Sequence, residues 1–434
     1  MAALAACRTA CDAPVAVLRA VADDMQSAMR VGLAADGQQL RMLPTFVTRL
    51  PSGAERGSWY ALDLGGTNFR VLRAQLGEAA GEVTRVESCE VAIPAPLLRG
   101  RCAELFAFIA QRVVAFTGPE ADGALGFTFS FACAQEGLDS GKLLVWTKGF
   151  ALLDGPGLDV VHLLRTALYD AGSRMRVAVL ANDTVGTLAA AHYADPAARV
   201  AVILGTGTNA AYLERCSRVA KWPLASSSDS VVINIEWGAL AAPSLPRLAA
   251  DQTVDEQSVN RGEQTFEKMI AGMYLGKIAA LTLLQMDAES GELFTASQRE
   301  ALLGGGLSTP LLSQLDNAAD SAQERSALAS ALGSAPSDAA LAAAKEVCHL
   351  VTRRAARLAA AAIYAVLTHS DAASTIGGTP PIVAVDGGLF EHHAAFAATL
   401  REAVAELGAN AVLRLTVDGS GIGAALLAAA AQVA

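Results

Sequence analysis

No run of apolar residues in the sequence is long enough to cross a bilayer. Its most apolar stretches, "LAAAAIYAVL" (358–367) and "IGAALLAAAAQVA" (422–434), fall short of the roughly 20 residues that a spanning helix needs. Blocks of Lys or Arg are also missing. With 33 basic against 43 acidic residues the net charge is −10, so no nucleic-acid partner is expected. Lysine itself is scarce, confined to positions 142, 148, 221, 268, 277 and 345, which makes a Lys at a suspect position mildly informative. The 7 Cys (7, 11, 89, 102, 133, 216, 348) are odd in number and share no repeated spacing, and no second pair completes a metal site with Cys7 and Cys11. Reduced, mostly buried thiols are therefore expected. The 6 His form no ligand pattern. The N-terminal stretch carries Asp12, Asp23 and Asp24, unlike a secretory or transit peptide, and a soluble, intracellular chain is expected.

What is present is a chain of 434 residues, 53% hydrophobic and 18% charged, which suits two or more domains with large cores. An amphipathic helix is predicted over 14–35, with Val15, Leu18, Val21, Met25 and Met29 near one face. Strands are predicted within 58–76, 82–93, 123–131, 175–183, 199–215, 230–238 and 380–390. Helices are predicted at 101–116 and 183–194, with Asp183 as an acceptable N-cap, and over most of 256–370. The chain closes at 413–434 as strand, Gly-rich turn and helix.

One pattern occurs twice. Residues 60–76 and 199–215 both read strand, Gly/Thr turn, strand, with Gly65-Gly66-Thr67-Asn68 in the first and Gly205-Thr206-Gly207-Thr208-Asn209 in the second. Glycines let backbone N–H groups approach a phosphate, although an ordinary polar turn fits the same letters. Neither turn is a P-loop, since no Gly-Lys-Ser/Thr follows and the next element is a strand. Two such turns facing one phosphate chain suggest a two-lobed, ATPase-like architecture.

With these residues in view, the chain resembles the hexokinase family, closest to the plant and algal type, from about residue 25 onward. "LDLGGTNFRV" is similar to the family's first phosphate motif, and "LGFTFSFACAQEGLDSGKLLVWTKGF" (125–150) to its sugar-binding signature. "ANDTVGTLAA" (181–190) resembles the catalytic-Asp motif, and "ILGTGTNAAYLE" the second phosphate motif. "INIEWG", "GEQTFEKMIAGMYLG" (262–276) and "VDGSGIGAALL" resemble two sugar-contact segments and the C-terminal helix entry. The resemblance implies an α/β, two-lobed actin-like (ribonuclease H-like) fold with a sugar and MgATP in the cleft. It implies a small lobe of 45–181 plus a returning helix at 420–434, and a large lobe of 1–44 plus 182–419. The activity implied is ATP-dependent phosphorylation of a hexose, D-glucose first, at its 6-hydroxyl.

The same resemblance assigns roles. Asp183 is the expected base, with N-capping as its bland alternative, and Lys148 would offset charge beside it. Ser130, Phe131, Thr147, Lys148, Asn182, Asn209, Glu236, Gln264 and Glu267 would contact the sugar. Read without the resemblance, Glu236 is a strand-end charge and Glu267 half of a surface pair. Asp63 would hold Mg²⁺ through water. Gly65, Gly66, Thr67, Asn68 and Arg70 would face phosphate from one lobe and Gly205, Thr206 and Gly207 from the other. Gly272, Gly387 and Gly388 would wall the nucleoside. The chain departs from the family at Ala132, where Pro is usual, at Arg261, where Asn-Pro-Gly is usual, and at "FEHHAAF" (390–396), which replaces a Tyr-Lys-containing run. These departures bear on loop rigidity and ATP affinity. A sugar-sensing or binding protein with little catalysis is the alternative, and an actin- or chaperone-type ATPase shares only the phosphate turns. The expected partners are hexose and MgATP, with no membrane and a monomeric state. The expected address is cytoplasmic, with plastid or organelle-surface association as the variant.

Overall fold

In the computed structural model the described residues are 2–66, 68–147, 149–222, 228–291, 293–318, 320–370 and 379–432. They form two large sheets built on one plan and a small two-stranded one, Cys133–Gly137 with Ser140–Leu143. The first runs, in order across the sheet, Val83–Ala92, Asn68–Leu76, Gly57–Leu64, Ala124–Phe129 and Arg176–Ala181. The second runs Ser230–Asn234, Thr208–Arg215, Ala198–Leu204, Ile382–Asp386 and Val412–Leu415, with the two-residue strand Leu43–Pro44 added at its edge. In each, three antiparallel strands in a meander are followed by two parallel ones. The doubled strand-turn-strand of the sequence is thus the start of a doubled sheet.

Central parallel strands are covered on both faces and read as unbroken apolar runs, and Ala124–Phe129 is buried along its whole length. Its cover is the helix Gly419–Gln432, which comes so close that a β-carbon on Gly126 would lie 2.1 Å from the Ala424 carbonyl oxygen. That helix also packs along Asp183–Ala194, which leaves the end of strand Arg176–Ala181 and lies against the second sheet. The helices Ala249–Glu256 through Asp338–His369 build the large core beside the second sheet. Around the first sheet the core is aromatic: Phe129, Phe131, Trp146 and Phe150 meet with centroids 4.9–5.9 Å apart. Of the cysteines, Cys7, Cys11, Cys102, Cys216 and Cys348 are buried, and none is in a disulfide. No helix among the described residues is long and apolar enough to cross a membrane.

Three local expectations are corrected, and one helix is added. The strand expected over 230–238 stops at Asn234, because Glu236 takes a left-handed backbone (φ 58°) and a 3-10 turn, Trp237–Ala239, follows. The cap of helix Asp183–Ala194 is Asn182, whose Oδ1 accepts from Thr184 N, so Asp183 is the first helical residue. Gly419, Gly421 and Gly423 are not in a turn; they lie inside the last helix, where they let it approach its neighbours. A further helix, Ala2–Asp12, precedes Val15–Ala34, and Ala13 (φ 39°) and Pro14 break the two apart.

Candidate active site

The first Gly turn joins Gly57–Leu64 to Asn68–Leu76, and the last paired residues before it are Asp63 with Arg70 and Leu64 with Phe69. Asp63 Oδ2 accepts a 2.6 Å hydrogen bond from Ser420 Oγ and lies 3.7 Å from the Arg70 guanidinium. Arg70 also donates to Asp418 at 2.5 Å. Burial weakens its charge, but Asp418, then Asp63 and Glu90, outweigh that and raise its pKa. A β-carbon on Gly65 would sit 3.4 Å from Ser130 Oγ, whereas among the described residues nothing lies within 4 Å of one on Gly66. The Asn68 amide donates to Glu90 Oε1 on the neighbouring strand at 2.6 Å. Thr67 and Lys148 lie outside the described residues.

In the second turn, the carbonyls of Gly205 and Thr206 accept from Gly272 N (2.8 Å) and Met273 N (3.1 Å), the first residues of helix Gly272–Ser290. Gly387 has φ 116°, and a β-carbon there would lie 2.5 Å from the Leu204 carbonyl. Gly272 is equally confined, 2.9 Å from the Gly205 carbonyl. These two glycines are therefore required by backbone contact around Gly205. Beside them opens a cavity of about 450 Å³ whose lining includes Gly205, Thr206, Gly272, Met273, Gly388 and His392. Glu267 Oε2 accepts from Thr208 N at 3.0 Å and would be 2.9 Å from a β-carbon on Gly207, so this carboxylate braces the turn.

Next to it four polar side chains form one net. Asn209 Nδ2 donates to Asn234 Oδ1 at 2.7 Å and lies 3.4 Å from both Glu236 Oε1 and Asn182 Oδ1. Asn234 Nδ2 donates to Glu236 Oε1 at 2.9 Å, and Asn209 Oδ1 accepts from Glu236 N at 3.0 Å. Glu236 and Gln264 both hold a left-handed backbone (φ 58° and 52°), and Gln264 Oε1 fills the space where Gly238 has no side chain. Two non-glycine residues held this way in one cleft mark strain kept by their surroundings. From the first sheet, Ser130 N donates to the Leu64 carbonyl at 3.0 Å, and Phe131 anchors the aromatic cluster. Thr147 is exposed on the following loop. That loop is pinned by Leu144 N to the Ala132 carbonyl (2.9 Å) and Trp146 Nε1 to the Asp154 carbonyl (2.9 Å), so the missing proline at 132 leaves it tied.

Asp183 opens its helix beside this net, and Asn182 Oδ1 accepts from both Thr184 N (3.0 Å) and Thr184 Oγ1 (2.6 Å). Facing it is a carboxylate that the motif reading missed. Asp386, at the end of strand Ile382–Asp386, is pushed up to about 6 by burial and then by the charge of Asp183, against backbone N–H groups of Gly387 and Gly419. The run "VDGG" put glycines in view and hid the Asp beside them. Asn234 was missed too; it ends strand Ser230–Asn234, and its Nδ2 donates to Oε1 of Glu236, two residues on and already out of the strand. Among the described residues no group of three or more His, Cys, Asp and Glu is placed to hold a metal ion directly.

Residues 3–193 and 199–430 match two family models, both described as Hexokinase. Hexokinase-2 of Oryza sativa subsp. japonica is 44% identical over 97% of this chain and 89% of its own length. Hexokinase-4, chloroplastic, of the same organism is 45% identical over 98% and 88%. Among solved structures, a hexokinase from Schistosoma mansoni complexed with glucose superimposes with a TM-score of 0.87, at 34% identity, over 98% of both chains.

Proposed function

Because the chain belongs to the hexokinase family and is an ATP-dependent hexose kinase, we propose that its substrate is D-glucose, phosphorylated at the 6-hydroxyl with Asp183 as base. The observation that carries this reading is the net of Asn182, Asn209, Asn234 and Glu236 beside Asp183. Ionised carboxylates only accept hydrogen bonds while amides both donate and accept, so together they match a polyol hydroxyl by hydroxyl. Such a set penalises a sugar with a missing or misplaced hydroxyl, whose partner would be left unpaired.

Asp183 aligns the 6-hydroxyl and takes its proton as the oxygen attacks the terminal phosphorus and the bond to the bridging oxygen breaks, releasing ADP; Lys148 has the proposed role of offsetting phosphate charge. Glu267 and Gln264 complete the sugar's lower edge, and Ser130, Phe131 and Thr147 close over it from the other lobe. The Gly65–Gly66 and Gly205–Gly207 turns receive the phosphates from opposite sides, and the 450 Å³ cavity receives the nucleoside. Bound Mg²⁺ would supply charge neutralisation at the phosphates. Asp63, an acceptor-only group at the edge of the first turn, suits it through water. The elevated Asp386, beside Asp183, marks a place where negative charge is crowded and a cation would relieve it.

We assign residues 45–181 and 420–434 to one lobe and 1–44 and 182–419 to the other. Sugar groups on both sides of the cleft draw the lobes together on binding and keep out the water that competes with the 6-hydroxyl. The proposed state is a cytoplasmic monomer. A coupled assay with MgATP and a panel of hexoses tests the substrate, and turnover of another hexose well above glucose would overturn the assignment. Small-angle scattering tests closure: an unchanged radius at saturating glucose would sink it.

A further inference from the structure

The nucleoside cavity has two facing walls from distant parts of the chain. Helix Thr309–Asn317 contributes Thr309, Pro310 and Ser313, and the segment Gly388–His393 contributes the other side. Two hydrogen bonds join these walls. Ser313 Oγ donates to the His392 carbonyl at 2.9 Å, and Asp316 Oδ2 pairs with His393 Nε2 at 2.8 Å. Ser313 and Asp316 are three residues apart and so share one face of their helix. Behind Asp316 stands His349 of helix Asp338–His369, with Nδ1 3.5 Å from the other carboxylate oxygen. The side chains of Asp316 and His393 are only 9% and 2% exposed. A charge-assisted bond in such a dry place is stiff. Burial alone would raise the Asp316 carboxyl, but its bonds to His349 and His393 outweigh that and hold it low. The other ring nitrogen of His393 is buried with no hydrogen-bond partner among the described residues, so that of its two ring nitrogens only the one facing Asp316 has a partner. His393 also sits between helices Gly388–His392 and Ala394–Glu406, where a small shift moves both.

We propose that Asp316 is a positioning residue for the nucleotide: with Ser313 it fixes the separation of the two cavity walls. Gly205 and Thr206 line the same cavity, so a change in that separation displaces the phosphates from the second turn as well as the base. The inference rests on the reading of this cavity as the nucleoside site.

Asp316→Ala should raise KM for ATP by about tenfold, the scale of one lost hydrogen bond to a charged group, with kcat at saturating ATP and KM for glucose within about threefold of wild type. Asp316→Asn, which keeps one accepting oxygen, should restore part of the loss. Ser313→Ala should move KM for ATP in the same direction by less, and it serves if the Asp316 variants fail to fold. Met273→Trp, which places an indole at the cavity rim, tests the underlying reading. If Met273→Trp raises KM for ATP and neither Asp316→Ala nor Ser313→Ala does, the positioning role is overturned. If Met273→Trp also leaves it unchanged, the cavity is not the nucleoside site, and both ideas fall. Equal losses in kcat and in both KM values would show a structural role only and overturn the proposal.

Discussion

A β-carbon on Gly423 would lie 1.8 Å from the carbonyl oxygen of Gly186. The contact is mutual, since one on Gly186 would lie 2.4 Å from the Ser420 carbonyl. Here the last helix and the helix that begins with Asp183 cross backbone to backbone. Neither can retreat freely, because the last helix is also pressed on Gly126 of the first sheet. Gly423→Ala should destabilise the protein by about 1–3 kcal/mol, as overpacking does, and lower the melting temperature by a few degrees. It should lower kcat more than either KM, because the displaced helix carries Asp183. Thermal unfolding and steady-state kinetics check this, and an unchanged Tm would mean that the crossing yields more easily than its spacing implies.

Gly66 is the contrasting glycine. Among the described residues nothing lies within 4 Å of its would-be β-carbon, which leaves room there for a side chain. The cost should appear only when a phosphate approaches the turn. Gly66→Val is expected to keep its melting temperature, to raise KM for ATP roughly tenfold or abolish turnover, and to change glucose affinity little. Unchanged ATP kinetics would remove this turn from the nucleotide site.

The two glycines also show what a sequence discloses. Repeated strand-turn-strand pairs are local, and both hairpins formed where periodicity and Gly-rich turns placed them. The glycines at 419, 421 and 423 read as a turn because their reason is tertiary: close approach to Thr187, Leu72 and Gly186. Glu236 was expected in a strand because nothing local announces a left-handed non-glycine residue. Asp386 matters through a partner about 200 residues away in sequence, which no spacing rule reaches. The capping role passed from Asp183 to Asn182 by one residue, the ordinary uncertainty of a helix end.

The raised Asp386 carboxyl makes stability depend on pH with a definite sign. Its folded value is about 6 against 3.8 for the free group, so between these values the folded protein holds more protons than the unfolded chain. Stability from this group is therefore highest at the acid end, falls as pH rises through the window, and stays lower above pH 6. At pH 7.5 the ionised group costs on the order of 1–3 kcal/mol. Asp386→Asn keeps one oxygen to accept from the backbone and cannot ionise. In metal-free urea unfolding its stability relative to wild type should grow between pH 5 and pH 7.5. A constant difference across that range would show that Asp183 and burial do not act on Asp386 as described.

The assignment of Asp183 as the base is tested by removing its side chain. The residue stands at the head of a helix, next to four polar side chains that can hold a sugar, and opposite a second carboxylate. Thr184 N donates to both Asp183 Oδ1 (2.8 Å) and Asn182 Oδ1 (3.0 Å), so with the Asp183 side chain removed the helix start keeps its Asn182 cap. The variant should therefore fold, and its kinetics should report chemistry. General-base removal costs on the order of 10²–10⁴-fold, and lost alignment adds to it, so Asp183→Ala should cut kcat by at least about a hundredfold. ATP binding should survive, and glucose binding should weaken modestly through the loss of one hydroxyl partner. Calorimetry and a coupled assay on both proteins separate the cases. Normal turnover in Asp183→Ala would move the base to another residue.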